Sequence, residues 1–284
     1  MLTIAFHTLG CKVNQYDTQA MLEKFRAAGY EIVPFDAAAD VYVINTCTVT
    51  GTGDKKSLQW LRRAKRATPQ AITVLTGCYP QAFPQMAADA PADVVLGNAD
   101  RSSIVDRVER FAVDRQRVVD ILPHCTGEVF EDLPAAQPEG HTRAFLKIQD
   151  GCDRFCSYCL IPTARGRSRS KSLELIDKEL KNLAENGYKE IVFVGINLSD
   201  YGKKTPYSLP DALVLAEKYD VDEEVLKRVL QHEEWETEKH HTTVNDGVVE
   251  QLALRSHKCS NRTNADDTEN CKHHARDNGN VCEH

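Results

Sequence analysis

Along the first 111 residues, short apolar runs alternate with amphipathic stretches. The runs at residues 2–8, 30–34, 41–45, 72–76 and 94–96 predict strands, and the apolar spacing between them predicts helices over 16–28, 54–67, 102–111 and, with a weaker pattern, near 82–88. Asp54 is placed to cap the second helix, Gly29 sits where a helix C-terminal glycine belongs, and Thr68-Pro69 stops the second helix. Strands largely alternating with helices predict an α/β domain with a largely parallel, Rossmann-like sheet.

The periodicity weakens over 112–143, where Pro123, Pro134 and Pro138 mark a linker with one strand expected at 117–122. A second unit opens with a strand at 144–149. A cysteine-rich loop follows, then a helix over 172–186 capped by Ser172, and a strong strand at 190–194. This is one βα unit plus the next strand, the start of a larger α/β fold. After Gly202 the pattern changes. Helices are expected at 209–219 and 222–235, a strand at most at 244–249, and beyond Arg255 the only aliphatic residues are Ala265, Ala275 and Val281, so disorder is expected there. The domain reading is therefore 1–111, a linker at 112–143, a second domain at 144–202 and an atypical tail at 203–284.

Composition narrows the class. The 284 residues suit two domains, and 42% hydrophobic residues suffice for ordinary cores. The longest apolar runs, such as 191–196, are far short of the roughly 18 residues a bilayer span needs, so no membrane is expected. The start Met1-Leu2-Thr3-Ile4 lacks a basic region before a long apolar one, which predicts a cytoplasmic, reduced location. There, ten cysteines point to metal binding or chemistry rather than disulfides. A net charge of −7 first argues against a nucleic-acid partner. The acid is not evenly spread, however. Residues 203–284 hold 11 basic and 17 acidic side chains, which leaves the first 202 residues at −1.

Two cysteine sets carry the chemistry. Cys11, Cys47 and Cys78 each follow a predicted strand within about three residues, so a parallel sheet would bring them to one edge, where α/β folds place ligands. Three soft ligands suit an iron–sulfur cluster, or zinc if a fourth ligand is near. Cys152, Cys156 and Cys159 form a C-x3-C-x2-C loop directly after a strand. Three thiolates that close can hold a [4Fe–4S] cluster with its fourth iron open, whereas structural zinc requires a fourth protein ligand. Cys125, in the linker, is expected as a free thiol, and Cys259, Cys271 and Cys282 are too widely spaced for a designed site.

The flanking residues go further. Cys152-x3-Cys156-x2-Cys159, with Tyr158 before the last cysteine, resembles the radical S-adenosylmethionine signature. The stretches His7-Thr8-Leu9-Gly10-Cys11-Lys12-Val13-Asn14, Asn45-Thr46-Cys47-Thr48, Thr76-Gly77-Cys78-Tyr79, Gln149-Asp150-Gly151-Cys152 and Ile161-Pro162-x-x-Arg165-Gly166 resemble the methylthiotransferase family within that superfamily. They are most similar to its branch acting on N6-threonylcarbamoyladenosine in tRNA. The resemblance covers residues 1–202 and implies that the second unit begins a partial (β/α) barrel. It implies two [4Fe–4S] clusters: an auxiliary one on Cys11, Cys47 and Cys78 that presents sulfur, and a radical-generating one on Cys152, Cys156 and Cys159. S-adenosylmethionine would be held near Tyr158 and Gly195-Ile196-Asn197. The implied reaction is 2-methylthiolation at C2 of the modified adenosine beside the anticodon. Its partners would be the tRNA anticodon stem-loop and an electron donor such as flavodoxin or ferredoxin.

Arg165, Arg167, Arg169 and Lys171 follow the cluster loop and are read as phosphate contacts, whereas Lys55–Arg66 is read as a solvated helix face. In the family the barrel continues and a small C-terminal β-barrel follows. Residues 203–284 are too few for both, which makes a truncated or frameshifted product the expectation. The alternatives are therefore a catalytically dead remnant acting as an iron–sulfur or interaction module, and a family member acting on another tRNA or a ribosomal protein.

Overall fold

The computed structural model describes residues 1–48, 51–133, 143–188 and 190–219. The first unit runs β1 (Thr3–Thr8), α1 (Lys12–Ala27), β2 (Glu31–Ile32), β3 (Val41–Thr46), α2 (Gly51–Ala67), β4 (Ile72–Gly77), α3 (Cys78–Ala82), α4 (Pro84–Ala88), β5 (Val94–Leu96), α5 (Ile104–Asp114) and β6 (Val118–Asp120). Its six strands pair in the order β2-β1-β3-β4-β5-β6, every pairing parallel. All six residues of β3 and of β4 are buried, because each strand is covered on both faces. Ile4, Val43, Val74 and Val94 pack with Met21 and Phe25 of α1 and Ile104 and Val108 of α5. The alternate residues Ala5, Tyr42, Ile44, Leu75 and Val95 pack with Leu61 and Ala64 of α2 and Ala87 of α4. The period-two pattern of the strands thus builds two cores, one on each side of a single sheet.

Three details depart from the sequence reading. Helix α1 begins at Lys12, four residues before the predicted start, because its first turn is polar and finds partners rather than apolar neighbours: Asn14 Nδ2 donates to Leu9 O at 2.6 Å and to Thr46 O at 3.1 Å. Helix α2 begins at Gly51, so Asp54 lies inside it and is not its cap. The strand predicted in the linker forms as β6 and joins the sheet beside β5, which carries the first unit past residue 111.

The second unit runs β7 (Arg143–Lys147), β8 (Gln149–Asp150), α6 (Ile161–Arg165), β9 (Arg169–Ser170), α7 (Leu173–Glu185), β10 (Glu190–Val194) and α8 (Leu209–Glu217). β10 pairs parallel with β7, and β8 pairs antiparallel with β9. Ala144, Leu146 and Ile148 pack against Ile176, Leu180 and Leu183 of α7, with Ala212 and Ala216 of α8 completing the core. Ser172 caps α7 as expected, its hydroxyl accepting from Leu175 N. Because α8 shares this core, residues up to 219 belong to the second unit rather than to a separate tail. The helix expected at 222–235, the strand expected at 244–249 and the disorder expected past Arg255 lie outside the described residues. Among the described residues no helix is long and apolar enough to cross a membrane.

Candidate functional site

The sheet register assembles the first cysteine triad. Thr46 pairs with Gly77, so Cys47 and Cys78 are the next residues on two neighbouring strand ends. Thr8 pairs with Asn45 and Leu9 N donates to Asn45 O at 2.9 Å, which carries the chain through Gly10 to Cys11 at the same rim. The strand order reverses between β1 and β3, and the crevice at such a reversal, outside the carboxyl ends of the strands, is where open α/β sheets bind ligands. Gly10 is required there. Its φ is +104°, and a Cβ on it would lie 2.6 Å from both Cβ and Sγ of Cys47. Cys11 is exposed, whereas Cys47 and Cys78 are buried. Burial pushes the Cys78 thiol up, against the opposing pull of the Arg165 charge and of the Asn98 amide, whose Nδ2 donates to Cys78 Sγ at 3.3 Å.

The second triad is local. Cys152, Cys156 and Cys159 are all partly exposed. Cys152 N donates to Gly166 O at 3.1 Å and Cys159 N to Cys156 O at 2.9 Å, so the loop is closed at its base and turned at its end. Burial raises the Cys152 thiol above its ordinary value. Phe155, at φ +44°, stays half exposed with the Arg167 guanidinium 4.3 Å over its ring, and Tyr158 is 77% exposed. Gly195, Ile196 and Asn197 follow β10. A Cβ at Gly195 would lie 2.9 Å from Gln149 Cβ, so the strand end and the loop base meet closely. Gln149 bridges them: its Oε1 accepts from Asn197 N at 2.8 Å, while its Nε2 donates to Gly151 O at 2.8 Å. The second turn after β10 is held by Asn197 Nδ2 donating to Asp200 Oδ2 at 2.7 Å.

The donor sets themselves test what they can hold. Among the described residues, no three His, Cys, Asp or Glu side chains form a site for a single metal ion. Each triad offers thiols alone near strand ends, with Gly10, Gly77 and Gly151 preceding Cys11, Cys78 and Cys152. Three thiolates without a fourth ligand fit an iron–sulfur cluster with one open iron better than tetrahedral zinc.

The two triads are joined by a buried ionic network that sequence reading missed. Arg165 Nη1 lies 3.0 Å from Asp17 Oδ2 and 3.1 Å from Asp150 Oδ1, and its Nη2 donates to Asn14 Oδ1 at 3.1 Å. Lys147 pairs with Asp17 and, at 3.3 Å, with Asp150. Arg101 reaches Asp150 at 3.4 Å and Glu131 at 3.1 Å. Burial opposes charge on each of these groups, but the mutual attraction outweighs it: Asp150 is held well below the usual carboxylate range by Lys147, Arg165 and Arg101, and Arg165 well above its ordinary value by Asp150, Cys78 and Asp17.

That network corrects the reading of the basic run. Arg165 and Lys171 are fully buried and Arg169 nearly so. Arg165 is bonded to Asp17 and Asp150, Arg169 lies 2.6 Å from Glu128, and Lys171 pairs with Glu179 and Asp132. Only Arg167, 59% exposed, faces solvent as a phosphate contact requires. The missed residues had a signal, since Asn14 and Asp17 are polar groups one turn apart beside Val13 and Tyr16 on a helix whose other buried positions are largely apolar. Cys125, expected as a free thiol, is disulfide-bonded, a pairing that cysteine spacing alone does not reveal.

Comparison with known proteins agrees with this geometry. Residues 3–97 match the model of the uncharacterized protein family UPF0004, and residues 146–253 match the radical SAM superfamily, a match that runs beyond the motifs ending near Gly202. Over 204 residues the chain is 46% identical to the threonylcarbamoyladenosine tRNA methylthiotransferase MtaB of Bacillus subtilis, covering 72% of this chain and 45% of that protein. Over 260 residues it is 36% identical to MtaB of Thermotoga maritima, covering 91% of this chain and 57% of that protein. The chain thus spans about half the length of these curated relatives. A solved structure of the radical S-adenosylmethionine methyltransferase TsrM from Kitasatospora setae superposes on it with a TM-score of 0.52 at 12% identity, over 77% of this chain and 51% of that one, a likeness of fold alone. Two family models in tandem and relatives at 36% and 46% identity make this chain a segment of the radical S-adenosylmethionine methylthiotransferase family.

Proposed function

We propose that this chain is the cluster-bearing part of an enzyme that methylthiolates C2 of N6-threonylcarbamoyladenosine beside the anticodon of tRNA. The observation that carries the reading is the pair of all-thiol triads tied to one buried network: Asp150 lies two residues before Cys152, while Asn14 lies three residues after Cys11. Cys11, Cys47 and Cys78 would hold an auxiliary [4Fe–4S] cluster, and Cys152, Cys156 and Cys159 a second one. When bound, two such clusters and S-adenosylmethionine supply one-electron reduction of the sulfonium cofactor and a methylated sulfur for transfer.

The chain's own residues do the holding. Gln149 fixes the base of the Cys152 loop and, through Asn197 N, the strand end where Gly195, Ile196 and Asn197 would meet the cofactor's amino acid part. Tyr158, exposed on the same loop, would cover its adenine. Arg165 puts a permanent positive charge beside the thiols of the first triad, which lowers the cost of assembling anionic ligands there. Arg167 is left as the candidate contact to the anticodon stem-loop, and a flavodoxin or ferredoxin would supply electrons in a cytoplasmic setting.

Anaerobic reconstitution tests the proposal. Two cube clusters predict about eight irons per chain and reductive cleavage of S-adenosylmethionine. Replacing Cys152, Cys156 and Cys159 by alanine should abolish cleavage and leave about four irons. About four irons in the parent chain without cleavage would sink the enzyme reading and leave an iron–sulfur module. Mass spectrometry of tRNA nucleosides after incubation then separates the substrates: a methylthio product on isopentenyl-adenosine instead of threonylcarbamoyl-adenosine would overturn the branch assignment.

A further inference from the structure

Asn98 belongs to no motif that carries the family resemblance, yet it sits at the contact between the two cysteine sites. It is 2% exposed on the segment after β5, and every polar group it has is engaged. Its backbone N donates to Gln81 Oε1 at 2.7 Å, and its backbone O accepts from Arg101 Nη1 at 2.7 Å. The side chain splits between the two units. Nδ2 donates to Cys78 Sγ at 3.3 Å and to Ala164 O at 2.9 Å, while Oδ1 accepts from Arg101 Nη1 at 3.1 Å. The orientation of the amide is over-determined, because a flip would set its nitrogen against the Arg101 guanidinium and its oxygen against the Ala164 carbonyl.

The partners of these contacts lead to the other triad. Ala164 precedes Arg165 in α6, whose C-terminal Gly166 receives the hydrogen bond from Cys152 N. Arg101 reaches Asp150, two residues before Cys152. A displacement of Asn98 therefore moves both the sulfur of Cys78 and the base of the Cys152 loop.

We propose that Asn98 is a positioning residue of the first cluster site, donating a hydrogen bond to the Cys78 sulfur and tying that sulfur to the loop of the second triad. The proposal rests on the reading of Cys11, Cys47 and Cys78 as cluster ligands. Hydrogen bonds to cysteine sulfur withdraw charge from a cluster and stabilise its reduced form, so this amide makes the auxiliary cluster easier to reduce.

The test uses the full chain with Cys152, Cys156 and Cys159 replaced by alanine, so that only the first cluster is observed. Asn98→Asp keeps the size and the Arg101 contact but removes both amide donors, and Asn98→Ala removes all side-chain contacts. Redox titration followed by electron paramagnetic resonance should move the reduction potential to more negative values in both variants, further in Asn98→Asp, where an anionic oxygen replaces the donor. Loss of iron in Asn98→Asp with circular dichroism and thermal midpoint unchanged also supports a positioning role. About four irons with an unaltered potential and resonance spectrum in both variants overturns it. So does unfolding of both variants, which would make the amide purely structural. A parent that takes up no iron overturns the cluster reading of the first triad together with this one, whereas a potential indifferent to Asn98 overturns this one alone.

Discussion

The two cysteine triads offer the same chemistry from opposite kinds of structure. Cys152, Cys156 and Cys159 lie within eight residues, and one strand, one turn and two backbone hydrogen bonds are enough to shape their loop. Cys11, Cys47 and Cys78 come from three crossovers of a parallel sheet and converge only when β1, β3 and β4 are in register. Closing a short loop costs little chain entropy, whereas the dispersed set is placed by the whole first domain. All three cysteines of the local triad are left partly exposed. In the dispersed one Cys11 is exposed while Cys47 and Cys78 are buried, and the Arg165 charge and the Asn98 amide act on the Cys78 sulfur. Arg165 and Asn98 connect the two, so the local loop also rests on the first domain.

The sharpest way to break that connection is to remove Arg165. Arg165→Ala leaves Asp17 and Asp150 buried with fewer cations, and should cost roughly 3–5 kcal/mol. Urea unfolding that shows less than about 1 kcal/mol lost would mean that the network does not bind the units together. The same network sets a pH dependence. Asp17 and Asp150 are held below their unfolded values, so their stabilisation is fully present above about pH 4 and is lost as pH falls through the depressed folded values. Asp150→Asn should flatten that acid limb, and an unchanged slope would remove Asp150 as its source.

Next in size is the close approach at Gly10. Gly10→Ala forces a Cβ onto Cys47 in a left-handed conformation and should cost about 1–3 kcal/mol. Iron uptake should drop from about eight to about four per chain, with the loss confined to the dispersed triad. Equal loss from both triads would show that they are not independently loaded. Gln149→Ala probes the other side. It unpairs Gly151 O and Asn197 N, costs about 1–3 kcal/mol, and should weaken S-adenosylmethionine binding in equilibrium dialysis while iron content stays constant. Unchanged cofactor binding would remove Gln149 from the link between loop and strand. The smallest effect is expected at Arg167, whose exposed stacking on Phe155 is worth about 0.5–1 kcal/mol. Arg167→Ala should leave the unfolding midpoint nearly unmoved while weakening tRNA retention in a salt-dependent filter assay, and retention equal to the parent's would leave the basic run without a nucleic-acid role.

Much of the fold was legible. The predicted strands at 41–45, 94–96 and 190–194 differ from β3, β5 and β10 by one residue at most; the apolar runs of β3 and β5 are buried throughout, whereas β10 is buried only at Ile191 and Val194. Helix starts were harder. The first turn of α1 is polar and finds its partners elsewhere in the chain, through Asn14, and α2 starts on glycine-containing sequence, where propensity is a weak guide. The convergence of Cys11, Cys47 and Cys78 on one sheet edge was legible because each follows a strand that the apolar pattern marks. Arg165, Arg169 and Lys171 were misread as surface contacts for the converse reason: a basic side chain in sequence looks the same whether it meets water, phosphate or a buried carboxylate.

Hydrophobic periodicity, strand-end cysteines and the C-x3-C-x2-C spacing are local properties, and the sequence by itself determined the α/β class and named two cysteine sets as candidate donors. Sheet order, register and the buried network joining Asp17, Arg101, Lys147, Asp150 and Arg165 were decided only in three dimensions. Charges separated by more than a hundred residues acquire partners only once folding removes the water between them, and nothing in the order of residues records which of them will meet.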